Sequence, residues 1–171
     1  MVDPDIASML RVDHAGEYGA VRIYAGQRAV MGNRARVSAE VAHMASQEQA
    51  HLAALADLLA RHRARPSLLM PLWHAAGYAL GVASALAGEK TAMAVTAAVE
   101  TEIDRHYQAQ REELAETEPA LAATLAGFQA EEAGHRDLAL AHGAADAPGW
   151  PLLSRAIRAG CRLSIALARR F

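Results

Sequence analysis

The sequence predicts an all-helical fold built from a duplicated helix pair, and three observations predict it. Glu48-Gln49-Ala50-His51 and Glu132-Ala133-Gly134-His135 are two copies of Glu-x-x-His, a spacing that puts both side chains on one face of a helix. A lone glutamate in a small, apolar helical run precedes each copy, Glu17 by 31 residues and Glu100 by 32. The surroundings of the lone glutamates echo as well, since Tyr24 and Gln27 follow Glu17 at the same intervals at which Tyr107 and Gln110 follow Glu100. No alternating strand pattern of any length interrupts this order.

Asp3 before Pro4 reads as an N-cap and first-turn proline, opening a helix that should run to about Met31, where Gly32-Asn33 stops it. Gly16, Gly19 and Gly26 within it place bare backbone where propensity prefers Ala, which points to close helix packing. A second helix, roughly Arg36 to His62, carries Glu48 and His51 and ends in the basic run Arg61-His62-Arg63-Ala64-Arg65 before Pro66. From Pro66 to Gly88 there is no Asp, Glu, Lys or Arg, so this segment has the length and apolarity of a membrane span. A single span would put the two copies of the motif on opposite sides of a bilayer, and Pro71, His74, Gly77, Gly81 and Ser84 weaken it further. Two readings remain: an apolar crossover helix packed on the bundle, or, preferred, a segment lying along a membrane surface.

The third ligand-bearing helix spans about Glu89 to Glu116, and Thr117-Glu118-Pro119 separates it from the fourth, about Pro119 to His142. Gly134 inside the fourth costs on the order of 1 kcal/mol relative to Ala, with no evident sequence reason. Pro148-Gly149-Trp150-Pro151 is a breaker before a last helix that runs to the end. There Arg155, Arg158, Arg162 and Arg169 share one face, and Leu153, Ala156, Ile157, Gly160, Ser164 and Leu167 the opposite one. A basic amphipathic helix suits a membrane surface, and equally a sixth helix docked by its apolar face.

One Glu from each of two helices and a Glu-x-x-His from each of two others is the ligand template of ferritin-like dinuclear carboxylate proteins, to which this sequence is matched. The fold class is therefore all-α: a ferritin-like four-helix bundle with a long apolar crossover helix and an extra C-terminal amphipathic helix. Carboxylate oxygens and imidazole nitrogens suit iron or manganese, and four carboxylates balance two divalent cations. Without metal, four converging glutamates in a core would repel one another and each would carry a desolvation cost. The candidate metal ligands are Glu17, Glu48, His51, Glu100, Glu132 and His135, with Glu48 and Glu132 the expected bridges. Asp13, one turn before Glu17, is a candidate for orienting a ligand, and His14 stays unassigned.

At 171 residues and 53% hydrophobic the chain can bury one good core, so residues 1–171 are expected to form a single domain. A net charge of −2 gives no sign of a nucleic-acid partner. The single Cys161 excludes an intrachain disulfide and a cysteine-ligated zinc or iron–sulfur site, and it fits a reducing compartment. The acidic start Met1-Val2-Asp3-Pro4-Asp5 has neither the charged nor the apolar region of a signal peptide, which places the protein on the cytoplasmic side. No Gly-x-Gly-x-x-Gly turn follows a strand, so a bound nicotinamide or flavin domain is not expected and any reductant must come from outside.

Arg11-Val12-Asp13-His14-Ala15-Gly16-Glu17-Tyr18-Gly19-Ala20, Arg22-Ile23-Tyr24-Ala25-Gly26-Gln27, Glu48 with His51, Val99-Glu100 through His106-Tyr107, Glu132 with His135, and Ala159-Gly160-Cys161 together resemble the demethoxyubiquinone hydroxylases of coenzyme Q biosynthesis. The likeness covers essentially the whole chain, and the opening motif is its most specific part. The resemblance implies an O2-dependent di-iron monooxygenase that hydroxylates the demethoxyubiquinone or demethoxyubiquinol ring at C6. It implies two Fe2+ ions, NADH as external reductant passing electrons through the quinone, and a role for His106 and Tyr107 in electron transfer. A polyprenyl quinone substrate, a peripheral site on the inner face of the membrane and a lipid-binding accessory protein also follow from it, and a homodimer is compatible with it. By themselves His106 and Tyr107 read as a surface histidine and a core tyrosine.

Rival classes use parts of the same pattern. A ferritin-like iron-handling or peroxide-scavenging protein shares the ligands, but cages or a rubredoxin-like cysteine module would accompany it. A non-catalytic membrane-associated helical bundle explains the apolar segments and leaves the glutamates unexplained. A tRNA-modifying di-iron hydroxylase lacks support, because no basic patch occurs outside the last helix.

Overall fold

The computed structural model describes residues 4–171, with side chains from Ile6 onward. Six α-helices lie among the described residues: α1 (Pro4–Met31), α2 (Ser38–Arg61), α3 (Met70–Leu86), α4 (Glu89–Leu114), α5 (Pro119–Ala141) and α6 (Trp150–Arg170). The all-helical class and the order of a ferritin-like chain are those the sequence predicts: a helix pair, a crossover helix, a second pair and a terminal helix. The Asp3 cap lies outside the described residues. Gly32, at φ +54°, ends α1 where expected, its N–H donating to the Arg28 carbonyl at 2.8 Å. The later break rests on Gly149 at φ +69°, whereas Trp150 and Pro151 already form the first turn of α6, where proline is tolerated. A 3₁₀ turn at Ala144–Asp146, not expected from the sequence, precedes it.

The chain divides into two compact units, one comprising the residues up to Ala92 with Leu163–Phe171, the other Met93–Arg162. In the first, α1 and α3 run in the same direction with their backbones touching. A Cβ at Gly77 would lie 2.8 Å from the Gly19 carbonyl oxygen, and one at Gly81 would overlap that of Ile23. Small residues at this spacing allow such an approach. Of the three glycines of α1, only Gly26 is itself pressed in this way, against the Tyr78 carbonyl; Gly16 and Gly19 have open space where a side chain would be.

The apolar segment is thus a crossover helix with one side packed on α1. Its other side is exposed at Leu72 (50%) and Leu86 (72%). No helix among the described residues is long and apolar enough to cross a membrane. Beside α1, a small core of Val12, Ala15 and Ala168 with Met70, Trp73 and Ile165 holds the C-terminal turns, and Arg65 Nη1 donates to the Phe171 carbonyl at 2.8 Å.

In the second unit, Asp104 on α4 accepts from Arg136 Nη1 at 2.6 Å and from Gln129 Nε2 at 2.7 Å, which ties α4 to α5. Glu102, also on α4, is buried and accepts from Arg158 Nε at 2.6 Å and Arg162 Nη1 at 3.0 Å on α6. This corrects the helical-wheel reading of α6. Arg158 and Arg162 turn inward to a carboxylate, and Ala156 and Gly160 are exposed beside Leu152 and Leu163.

Candidate metal centre

The ligand candidates sit inside the apolar stripes of their helices. On α2 the buried positions Val41, Met44, Glu48, His51, Leu55 and Leu59 follow a helical three-to-four spacing, so the glutamate and histidine point where the core side chains point. On α5 the same holds for Leu121, Leu125, Glu132, His135 and Ala139. Glu17 on α1 and Glu100 on α4 are each 1% exposed, Glu48 and Glu132 fully buried, and His51 and His135 3% exposed.

Within the first unit, Glu17, Glu48 and His51 bring ligand atoms within 4.8 Å of one another. His51 Nδ1 lies 3.6 Å from a Glu17 carboxylate oxygen. Within the second unit, Glu100, Glu132 and His135 do the same, and His135 Nδ1 lies 3.1 Å from Glu132 Oε2. In both triads the nitrogen turned towards a carboxylate is Nδ1. Each triad therefore offers hard oxygens and one imidazole nitrogen in a dry setting, a donor set that fits iron or manganese. Buried carboxylates are costly unless a cation or hydrogen bonds compensate them, and a divalent ion supplies the largest such compensation.

The duplication extends into the packing. Tyr24 and Tyr107 are each 1% exposed, and Gln27 and Gln110 are 0% and 2% exposed, so the sequence echo marks core-lining positions on α1 and α4. Gln27 Nε2 donates to the Ala92 carbonyl at 3.2 Å. Tyr107 packs near Phe128, with ring centroids 6.3 Å apart, and the half-buried His106 lies 6.1 Å from Tyr107 by the same measure. Asp13 is buried at 3% exposure. Burial holds the His14 imidazole below its ordinary range against the opposing pull of the Glu17 charge, so it is neutral at physiological pH.

Two polar clusters escaped the sequence reading. Glu102 gave no signal of its partners on α6, which lie 56 and 60 residues away. Tyr18 Oη and His74 Nδ1 are 2.7 Å apart and link α1 to α3, with Arg22 stacked over the Tyr78 ring one turn further on. The i, i+4 spacing of Tyr18 with Arg22 and of His74 with Tyr78 is the signal that could have revealed the second cluster.

Residues 4–168 match the family described as ubiquinone biosynthesis protein COQ7. The chain is 51% identical over 172 aligned residues to a protein of Rhodospirillum rubrum named 3-demethoxyubiquinol 3-hydroxylase, covering 98% of this chain and 81% of the relative. It is 46% identical to a Homo sapiens protein named NADPH-dependent 3-demethoxyubiquinone 3-hydroxylase, mitochondrial, covering 95% of this chain and 76% of that one. A Saccharomyces cerevisiae protein named 5-demethoxyubiquinone hydroxylase, mitochondrial, is 36% identical over 95% of this chain and 76% of its own length. With its two buried Glu and His triads and a match along nearly its whole length, this chain belongs to the ubiquinone biosynthesis protein COQ7 family.

Proposed function

We propose that this chain is an O2-dependent di-iron monooxygenase that hydroxylates the ring of a demethoxyubiquinol in ubiquinone biosynthesis, at the position its relatives' names number 3. One observation carries the reading: six buried side chains of ligand type, a triad in each unit, in a chain 51% identical to a named 3-demethoxyubiquinol 3-hydroxylase. Both units serve one functional domain, residues 1–171. Glu17, Glu48 and His51 of the first unit and Glu100, Glu132 and His135 of the second are the residues that would hold the two irons, in keeping with the ferritin-like template. Bound iron would supply the activation of O2, which no protein side chain provides.

The chain's own groups do the rest. His51 and His135 present Nδ1 to their half-sites, and the dry surroundings of the glutamates keep bulk water from competing for the open positions. Asp13, buried one turn before Glu17, is proposed to orient a ligand. His106 and Tyr107, a half-buried and a buried ring on the Glu100 helix, are proposed to pass electrons to the site. The external reductant is NADH; because several relatives are named NADPH-dependent, comparing the two donors tests this point.

The substrate's isoprenoid tail resides in lipid, so the protein is proposed to work at the inner face of a membrane without crossing it. The uncharged segment from Pro66 to Gly88 and the exposed Leu72, Leu86, Leu152 and Leu163 support that reading. A lipid-binding accessory protein and a second copy of the chain are further proposed partners. Liposome flotation should lose the protein on Leu72→Glu with Leu86→Glu; unchanged flotation would remove the membrane from the account. Turnover of a short-chain demethoxyquinol under labelled O2 tests the activity. One labelled oxygen in the ring product supports it, and O2 consumption with an unchanged ring would favour an iron-handling oxidase.

A further inference from the structure

The duplicated helices repeat what the centre needs twice, but one substrate ring has to be recognised once. Groups that bind the ring should therefore break the repeat. His14 does so: it lies three residues before Glu17, and the matching position three residues before Glu100 is Ala97, buried at 1% exposure. The matching position on α4 thus carries no polar group.

His14 is 9% exposed, and its Nδ1 is buried with no hydrogen-bond partner among the described residues. Buried polar atoms are satisfied in the great majority of cases, so this nitrogen calls for a partner that arrives with a ligand. It is not a seventh metal ligand: the side chains of its unit that can share an ion are Glu17, Glu48 and His51. Spaced i, i+3 from Glu17, it lies on the face of α1 that carries the ligand, one turn away. A neutral imidazole there can donate to or accept from a phenol or ketone oxygen, the polar groups of a quinol or quinone ring.

Resting on the hydroxylase reading above, we propose that His14 Nδ1 makes the hydrogen bond that holds a ring oxygen of the quinol beside the Glu17–Glu48–His51 half of the centre. His14 is then a substrate-binding residue that sets which ring carbon faces the site.

The test compares His14→Phe, which removes both nitrogens, His14→Asn, which keeps a polar atom near Nδ1, and His14→Gln, which keeps one near Nε2, in the full iron-loaded chain. Four readouts are taken: iron per chain, Tm, anaerobic binding of a short-chain demethoxyquinol by tryptophan quenching, and ring product formed per O2 consumed. The proposal expects wild-type iron and a Tm equal to or above wild type for His14→Phe, with quinol binding weakened about tenfold, as for one lost hydrogen bond, and less product per O2. His14→Asn should recover most of the binding and His14→Gln little; if His14→Phe does not fold, this Asn–Gln contrast carries the test. Wild-type affinity and coupling in His14→Phe or His14→Gln would overturn the proposal. Iron loss in all three variants would overturn it too, assigning His14 to the support of Glu17. Failure of the wild-type chain to hydroxylate the ring would instead remove the function reading, and this proposal with it.

Discussion

Arg158 Nε donates to Glu102 Oε1 at 2.6 Å, fastening α6 to α4 through a carboxylate that is 5% exposed. Arg162 adds a second donor to the same oxygen at 3.0 Å. Removing the acceptor leaves two guanidinium groups facing a buried gap, but both retain solvent access at 27% and 56% exposure, which softens the loss. Glu102→Gln should lower stability by about 2 kcal/mol, and the Glu102→Leu, Arg158→Met pair by less than the sum of its single changes. Denaturant unfolding of wild type, Glu102→Gln, the two single variants of the pair and the double variant checks both; additive losses would show that the contact does not couple.

The same carboxyl gives a pH dependence. Burial pushes the Glu102 carboxyl up, but the Arg158 hydrogen bond and the two arginine charges outweigh it and hold the group below its usual value of 4.5. A folded-state pKa below the unfolded one contributes stability that is full above the unfolded pKa and is lost as pH falls through the folded one. Wild type should therefore lose stability below about pH 4.5 more steeply than Glu102→Gln, as thermal unfolding between pH 3 and 7 would show.

Two glycines should respond oppositely to alanine. At Gly81 a methyl overlaps the Ile23 carbonyl, so Gly81→Ala must push α3 off α1 and should cost about 2–3 kcal/mol. At Gly134 nothing lies within 4 Å of the added atom and the residue is exposed within α5, so Gly134→Ala should stabilise by about 0.5–1 kcal/mol. Chemical denaturation reads both signs.

Cys161 should be inert in the folded chain. Burial, with the charges of Glu100 and Glu102 adding to it, pushes its thiol from 9.0 up to about 12. That shift lowers the thiolate fraction near neutral pH about a thousandfold. Alkylation with iodoacetamide at pH 8 should track unfolding; rapid labelling of native protein would contradict the assignment.

The elements and the two buried Glu and His clusters were legible in the sequence because each depends on local spacing. Glu48 with His51 and Glu132 with His135 need only a helix to share a face, and Tyr24, Gln27, Tyr107 and Gln110 echo because they line cores at equivalent positions. What could not be read depends on partners distant along the chain. A helical wheel sorts Arg158 and Arg162 with Arg155 as one solvated face, and only the fold reveals that Glu102 draws two of them inward. Gly77 and Gly81 read in the sequence as marks against a lipid-buried helix, whereas they are where α3 meets the backbone of α1.

Metal content, measured on anaerobically purified wild type and on Glu132→Leu, separates a di-iron enzyme from a structural bundle. A di-iron enzyme should hold about two irons per wild-type chain, lose iron and ring hydroxylation in Glu132→Leu, and be more stable as the metal-free variant than as metal-free wild type, because a buried carboxylate has been removed. A wild-type chain that binds no metal and yet matches Glu132→Leu in every other respect would contradict that reading, leaving the glutamates as core residues of a structural bundle.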